Sequence, residues 1–132
     1  MFHSHIDAQR AFDRATREQL RDRMLRRRVE LDVLEAPLRA RQARKVSEIP
    51  LEAIDATLEP GRAHQFDRCF RPRRSVSRAR WERLWAADAR GEILPPIEVV
   101  KVGARYAVVD GHHRVSVARA RGAVAIDALI SA

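Results

Sequence analysis

Apolar side chains recur at helical spacing in the first third of this 132-residue chain and at β-type spacing in the remainder. Residues 7–43 contain no glycine and are rich in Arg, Glu, Leu and Ala, which favours an α-helical arm. Its apolar face is expected to comprise Phe12, Thr16, Leu20, Met24 and Leu31, and the opposite face Arg10, Arg14, Arg17, Arg21 and Arg28. Pro37 predicts a kink or a boundary between two helices.

After the arm, short apolar runs separated by proline and glycine predict strands and two more helices. An edge strand is expected at residues 46–51, because proline is tolerated at a sheet edge, and an irregular basic loop at 59–78. Helices are predicted at 77–90 and 112–121, and further strands at 97–102, 106–109 and 124–130. This order predicts an α+β fold, a small mixed β-sheet with packed helices, in residues 46–132, preceded by the N-terminal helical arm in residues 1–45.

The composition narrows the class of partner. The net charge of +8 and the pI near 11.2 suit an acidic partner, such as a nucleotide, a nucleic acid or an acidic protein face. Of the 26 basic residues, all but Lys45 and Lys101 are arginine, which forks onto phosphate, although a GC-rich genome also explains this ratio. The single cysteine, Cys69, excludes an internal disulfide. No signal peptide or membrane-length apolar run is seen, so we expect a soluble, cytoplasmic protein that does not bind membranes.

The basic arm has three interpretations. It is a solvated helix held by pairs such as Asp13–Arg17 and Asp22–Arg26, a packing or dimerising helix, or a DNA-binding arm. The sequence favours packing, or a homodimer through this helix, over a dedicated DNA-binding role.

Residues 106–114, Tyr-Ala-Val-Val-Asp-Gly-His-His-Arg, predict a buried strand that passes through a glycine turn into a helix. Such a junction presents unpaired main-chain N–H groups and the positive end of the helix dipole, which together favour an anion, most often phosphate. Arg114 is either a phosphate ligand or the partner of Asp110. Asp110 itself is expected to cap the helix, to orient a histidine or to hold Mg²⁺ beside a triphosphate. Of His112 and His113, one is expected to face the ligand and the other to be structural.

Residues outside this turn add candidates. Ser116 is expected to cap the helix or touch phosphate. The basic loop is expected to close over the anion with Arg62 or Arg68 beside the Gly111 turn, or else to form a flexible basic surface. No clustering of side chains predicts a protein-bound metal.

With these residues in hand, the stretch 46–130 resembles the ParB/sulfiredoxin-like domain family. The resemblance rests on residues 94–99 (Leu-Pro-Pro-Ile-Glu-Val), on residues 106–114, and on Gly122 followed by residues 126–130 (Ile-Asp-Ala-Leu-Ile). Residues 66–72 (Phe-Asp-Arg-Cys-Phe-Arg-Pro) and 110–118 look more closely like a group of small, stand-alone ParB-like proteins of high-GC actinobacteria.

The resemblance implies that a nucleoside triphosphate, CTP or ATP, binds at Gly111, His112, His113 and Arg114. Within the family the same scaffold is found in CTP-dependent DNA clamps and in enzymes that reduce sulfinic acids or phosphorylate free serine. Sulfiredoxins carry a cysteine at the place of His112, so we do not expect sulfiredoxin activity. Chromosome-partitioning ParB proteins carry an acidic-basic pair at 112 and 113 and continue into a helix-turn-helix domain. The chain ends at Ala132, so we expect neither sequence-specific DNA reading nor the usual CTP clamp.

Two functions follow as hypotheses. In the first, the chain binds a nucleotide, with Mg²⁺, and hydrolyses it slowly or transfers its phosphoryl group. The candidate catalytic residues are then Asp110, His112 and His113, and the candidate nucleotide-binding residues are Gly111, His112, His113, Arg114, Ser116, Arg62 and Arg68. In the alternative, the chain is a non-catalytic nucleic-acid-associated or protein-adaptor module that binds the DNA backbone non-specifically through its basic surface.

Overall fold

A mixed six-stranded sheet with helices packed against one face organises the part of the chain that the structure describes. The structure is a computed structural model, which describes residues 3–25, 30–36 and 44–131. The helices are α1 (His3–Met24), α2 (Arg78–Ala89) and α3 (His112–Ala120). The strands are β1 (Asp32–Val33), β2 (Arg44–Pro50), β3 (Ile54–Thr57), β4 (Ile97–Val102), β5 (Arg105–Asp110) and β6 (Ala125–Ser131). Single 3₁₀ turns span Leu51–Ala53 and Pro60–Arg62.

The strand order β1-β3-β5-β4-β6-β2 places the glycine turn at the middle of the sheet. β5 lies parallel to β3 and antiparallel to β4, and Asp110 at the end of β5 is opposite Glu98 at the start of β4. The Pro95-Pro96 segment that enters β4 is therefore brought beside the turn that leaves β5. The α+β fold and the mixed sheet predicted from the sequence are confirmed.

Helix α1 packs into the domain through its apolar face. Phe12 is buried, and its ring meets the Trp81 ring of α2 edge to face at a centroid distance of 5.4 Å. Asp13 pairs with Arg78 at 2.8 Å, which pins the same turn of α1 to the start of α2. The expectation of a packing helix is thus confirmed, whereas a homodimer through this helix stays a prediction.

The structure corrects several expectations for the arm. α1 ends at Met24 rather than running through residue 43, and Asp32–Val33 forms an edge strand beside β3. Met24 is 82% exposed, since the described chain packs nothing against it. Asp13 forms its ion pair with Arg78 rather than with Arg17, and Asp22 pairs with Arg71. The expected Asp22–Arg26 pair involves a residue outside the described ranges. Arg26, Arg28 and Pro37 lie outside the described residues.

The boundary expected between residues 45 and 46 does not interrupt the packing. Phe12 and Leu31 belong to the same apolar core as Ile54, Trp81 and Val108. β3 was also not expected from the sequence, because its four residues gain their strand conformation from pairing with β5. None of the helices in the described ranges combines the length and apolar character needed to cross a bilayer.

Candidate functional site

Gly111 makes the turn between β5 and α3, and the fold admits no larger residue there. Its φ of +105° lies in the left-handed region that favours glycine. A Cβ at this position would lie 2.6 Å from Cγ2 of Ile97. The space that a side chain would need at this position is thus occupied by Ile97.

Helix α3 begins with main-chain N–H groups that precede its hydrogen-bond ladder. The first helical bond is donated by the N–H of Val115 to the carbonyl of Gly111, at 3.0 Å. The N–H groups of His112, His113 and Arg114 therefore form the orphan set expected at a helix start. Gly111, at the N-cap, caps none of them with a side chain. The expectation that Asp110 caps the helix is wrong, because its carboxylate pairs with Arg114 one turn along.

The Arg114 guanidinium is engaged on two sides. Its Nη1 donates to the carbonyls of Pro95 and Pro96 at 2.7 and 2.9 Å, and its Nη2 donates to Oδ2 of Asp110 at 3.1 Å. The Arg114 side chain is 15% exposed, whereas that of Asp110 is 70% exposed. Of the two roles that the sequence left open for Arg114, the ion pair with Asp110 is present here. It holds the guanidinium at the turn.

A small cleft of about 80 Å³ opens at this turn. It is lined by residues 110–114 together with Arg62, Arg80 and Leu84. Three arginines from three parts of the chain thus line the cleft beside the start of α3, and Nη1 of Arg62 donates to Oε1 of Gln65 at 2.8 Å. The volume falls well below the roughly 300–1,000 Å³ of sites that enclose a whole small molecule, so the cleft is sized for one anionic group.

His112 lies at the inner side of the cleft and is held as a neutral ring. Its Nε2 is 2.7 Å from the hydroxyl oxygen of Thr57, and its ring packs beside the adjacent rings of Phe66 and Phe70, each at a centroid distance of 6.3 Å. Burial lowers the pKa of His112 to about 4, and the positive charge of Arg62 adds to the shift. At neutral pH this imidazole therefore carries no positive charge that could attract an anion.

His113 is also buried but has no hydrogen-bond partner among the described residues. The edge of its ring meets Phe66 at a centroid distance of 5.2 Å. Burial lowers the pKa of His113 to about 4, with further contributions from Arg80 and Arg62. A neutral imidazole can donate or accept one hydrogen bond at the cleft, but its pKa is far from that of an efficient acid or base at pH 7.

Other predicted site residues lie elsewhere. Arg68 pairs with Asp55 at 3.4 Å and does not line the cleft, so the expectation of a residue beside the turn is confirmed for Arg62 alone. The Ser116 hydroxyl is buried and accepts the indole N–H of Trp81 at 2.9 Å, which makes it a link between α3 and α2.

The sequence analysis missed three residues of the site. Arg80 and Leu84, one helical turn apart on α2, reach the cleft because α2 packs beside α3. Thr57 supplies the partner of His112 from β3. The i,i+4 spacing of Arg80 and Leu84 was visible in the sequence, but the direction in which that face points depends on the packing of the two helices.

Within the described residues, no group of three or more His, Cys, Asp or Glu side chains is arranged to hold a metal ion. Among the residues that the structure describes, Asp110 is the single carboxylate that lines the cleft. A divalent cation would fit here only if a bound ligand supplied most of its oxygen atoms.

Comparisons with known proteins place the chain in a family. A search of curated proteins found no match. Among solved structures, the chain is similar to sulfiredoxin from Arabidopsis thaliana, with 23% identity and a TM-score of 0.49 over 65% of this chain and 83% of that one. The family model of the ParB N-terminal domain matches residues 35–132. This chain therefore belongs to the ParB N-terminal domain family.

Proposed function

We propose that the Gly111 cleft binds the terminal phosphate of a nucleoside triphosphate, CTP or ATP. The observation that carries this proposal is the convergence of Arg62, Arg80 and Arg114 with the orphan N–H groups of α3. Without an anion, three positive groups at the positive end of a helix dipole repel one another and the dipole. Only Asp110 offsets them from within the cleft lining.

In this proposal the residues of the cleft have different roles. Arg62 and Arg80 reach the phosphate as cations, and His113 offers a neutral hydrogen bond. His112 is a positioning residue, since it braces the turn against Thr57. The sugar and base lie outside the cleft, because its volume admits only one phosphoryl group. Mg²⁺ would arrive on the triphosphate and meet Asp110. With both histidines weak as bases, we propose binding as the main activity and hydrolysis or phosphoryl transfer as slow at most.

Calorimetric titration with CTP, ATP and GTP, with and without Mg²⁺, tests this proposal. Arg80→Gln should weaken binding by roughly tenfold or more, because a charge-assisted hydrogen bond is worth about 1.5–3 kcal/mol. Arg83→Gln, also exposed on α2 but outside the cleft lining, is the matched control and should bind as the wild type does. Phosphate release measured on the same samples reports turnover. Absence of heat with every nucleotide, or equal loss in both variants, would contradict the proposal.

A second proposal retains the alternative of a module associated with the DNA backbone. Its support is the stretch 62–83, which carries eight arginines against the two carboxylates of Asp67 and Glu82. Non-specific binding to duplex DNA should then fall steeply as salt rises. Binding that is absent at 50 mM salt, or insensitive to salt, would exclude it.

A further inference from the structure

A second, larger opening lies between α1 and residues 74–78. This α1 groove has a volume of about 550 Å³ and shares no lining residue with the Gly111 cleft. Phe12, Leu20 and Val76 form its apolar side, and Arg17, Arg74 and Arg78 its basic rim. Its size falls within the range of protein binding sites.

Among the described residues that line the groove, three arginines face the single carboxylate of Asp13. Arg78 is compensated, since it pairs with Asp13 at 2.8 Å. Arg17 and Arg74 are exposed, and neither forms an ion pair with another described residue. The one hydrogen bond of Arg17 runs from its Nε to the main-chain carbonyl of Asp13, at 3.3 Å. Asp13 thus forms its ion pair with Arg78 and only a weaker electrostatic contact with Arg17, and the rim keeps a net positive charge.

Apolar surface continues from the groove along α1. Leu20 is partly buried in the groove, while Met24, one helical turn further, is 82% exposed and Leu25 is 56% exposed. Exposed methionine adapts its shape to varied apolar partners. A phosphodiester backbone has no apolar surface to bury against Leu20 and Met24, whereas an amphipathic peptide has.

We propose that the α1 groove docks an acidic amphipathic helix of a partner protein. Aliphatic residues of that helix pack on Leu20 and Met24, and its carboxylates pair with Arg17 and Arg74. The surplus of arginine between residues 62 and 83 attracts the acidic segment at longer range. This docking does not depend on nucleotide binding at the Gly111 cleft.

A charge-swap experiment on the full chain tests the proposal. The probes are a fluorescent 16-residue peptide with leucine at helical spacing and glutamate between, and the same peptide with lysine in place of glutamate. At low salt the glutamate peptide should bind with a Kd in the micromolar range, about −7 to −8 kcal/mol, and the lysine peptide should not bind. The double variant Arg17→Glu/Arg74→Glu should bind the glutamate peptide at least tenfold more weakly than the wild type and should bind the lysine peptide. Lys45→Glu/Lys101→Glu, which makes the same change in net charge on exposed strand positions, should leave the preference unchanged.

Met24→Ser provides an independent arm, because it removes apolar surface from an exposed position without changing any charge. It should weaken binding of the glutamate peptide several-fold. Circular dichroism melts should show that Met24→Ser and the two double charge variants are folded. The proposal is overturned if the glutamate peptide does not bind, if both charge variants lose it equally, or if Met24→Ser has no effect. It is also overturned if a 20-base-pair DNA duplex binds more tightly than the peptide and is lost in Arg17→Glu/Arg74→Glu, because the surface then serves nucleic acid.

Discussion

Acidification from pH 7.5 to pH 5 should destabilise this fold, because His112 and His113 are buried as neutral rings. The pKa of each is lowered to about 4 in the folded chain, against an ordinary value near 6.5 once the chain unfolds. Between these values the unfolded chain binds two protons that the folded chain does not. The free energy of unfolding therefore falls as the pH falls through this window, and is fully restored above about pH 6.5.

The magnitude follows from the two pKa values. Each histidine favours unfolding by about 2 kcal/mol at pH 5, and by about 3 kcal/mol once the pH is below 4. Together the two should remove about 4 kcal/mol between pH 7.5 and pH 5, a large part of the stability of a small domain. Asp13 does not contribute in this window, since its hydrogen bond to Arg78 lowers a carboxyl pKa that is 3.8 before the shift.

Urea unfolding, followed by the fluorescence of buried Trp81, measures the difference between the two pH values. His112→Gln and His113→Gln should each reduce the loss of unfolding free energy between pH 7.5 and pH 5 to about 2 kcal/mol. This holds whatever stability each variant loses at pH 7.5. His64→Gln, at an exposed loop position, is the control and should leave the loss between the two pH values at about 4 kcal/mol. The reasoning is refuted if the His112→Gln/His113→Gln variant keeps the full pH dependence, or if proton NMR shows both rings titrating near pH 6.5.

Two further predictions concern the packing that holds the site. Gly111→Ala should lower the free energy of unfolding in urea by about 3 kcal/mol or more, because the new Cβ would clash with Ile97 and the φ is left-handed. Gly103→Ala is the control: its φ of +64° is also left-handed but the space around it is open, so it should cost only about 1 kcal/mol. Equal losses would contradict the role of Ile97. Phe12→Ala should cost about 3–5 kcal/mol, because it removes the ring packed on Trp81. A loss below about 1 kcal/mol would show that α1 is a separable arm.

Much of the candidate site could be predicted from the sequence, because neighbouring residues determine its local structure. A strand that ends in Asp-Gly and continues into a helix is encoded by neighbouring residues, and both β5 and α3 formed within one residue of the expected positions. The placement of Arg62 beside the turn was also anticipated. By contrast, the prediction that the helix continues beyond Met24 was wrong at β1. Two residues form a strand only when a partner such as β3 lies beside them, and that pairing is not visible in the sequence.

The roles of the histidines and arginines needed the folded chain. Nothing in His-His-Arg reveals that Phe66 and Phe70 pack beside His112, or that Arg114 donates to the carbonyls of Pro95 and Pro96. These partners lie at least 18 residues away in the sequence, so their positions depend on how the strands and helices pack. Arg80 joined the site for the same reason.

The sequence by itself determined the positive charge, the α+β order of elements and the glycine turn that starts α3, because composition and local backbone preference require no distant partner. Only the tertiary structure decided which charges are compensated. It paired Asp13 with Arg78 and Asp22 with Arg71, left Arg17 without an ion pair among the described residues, and buried both histidines. Ion pairing and desolvation depend on distances through space, and those distances are fixed only when the whole core has packed.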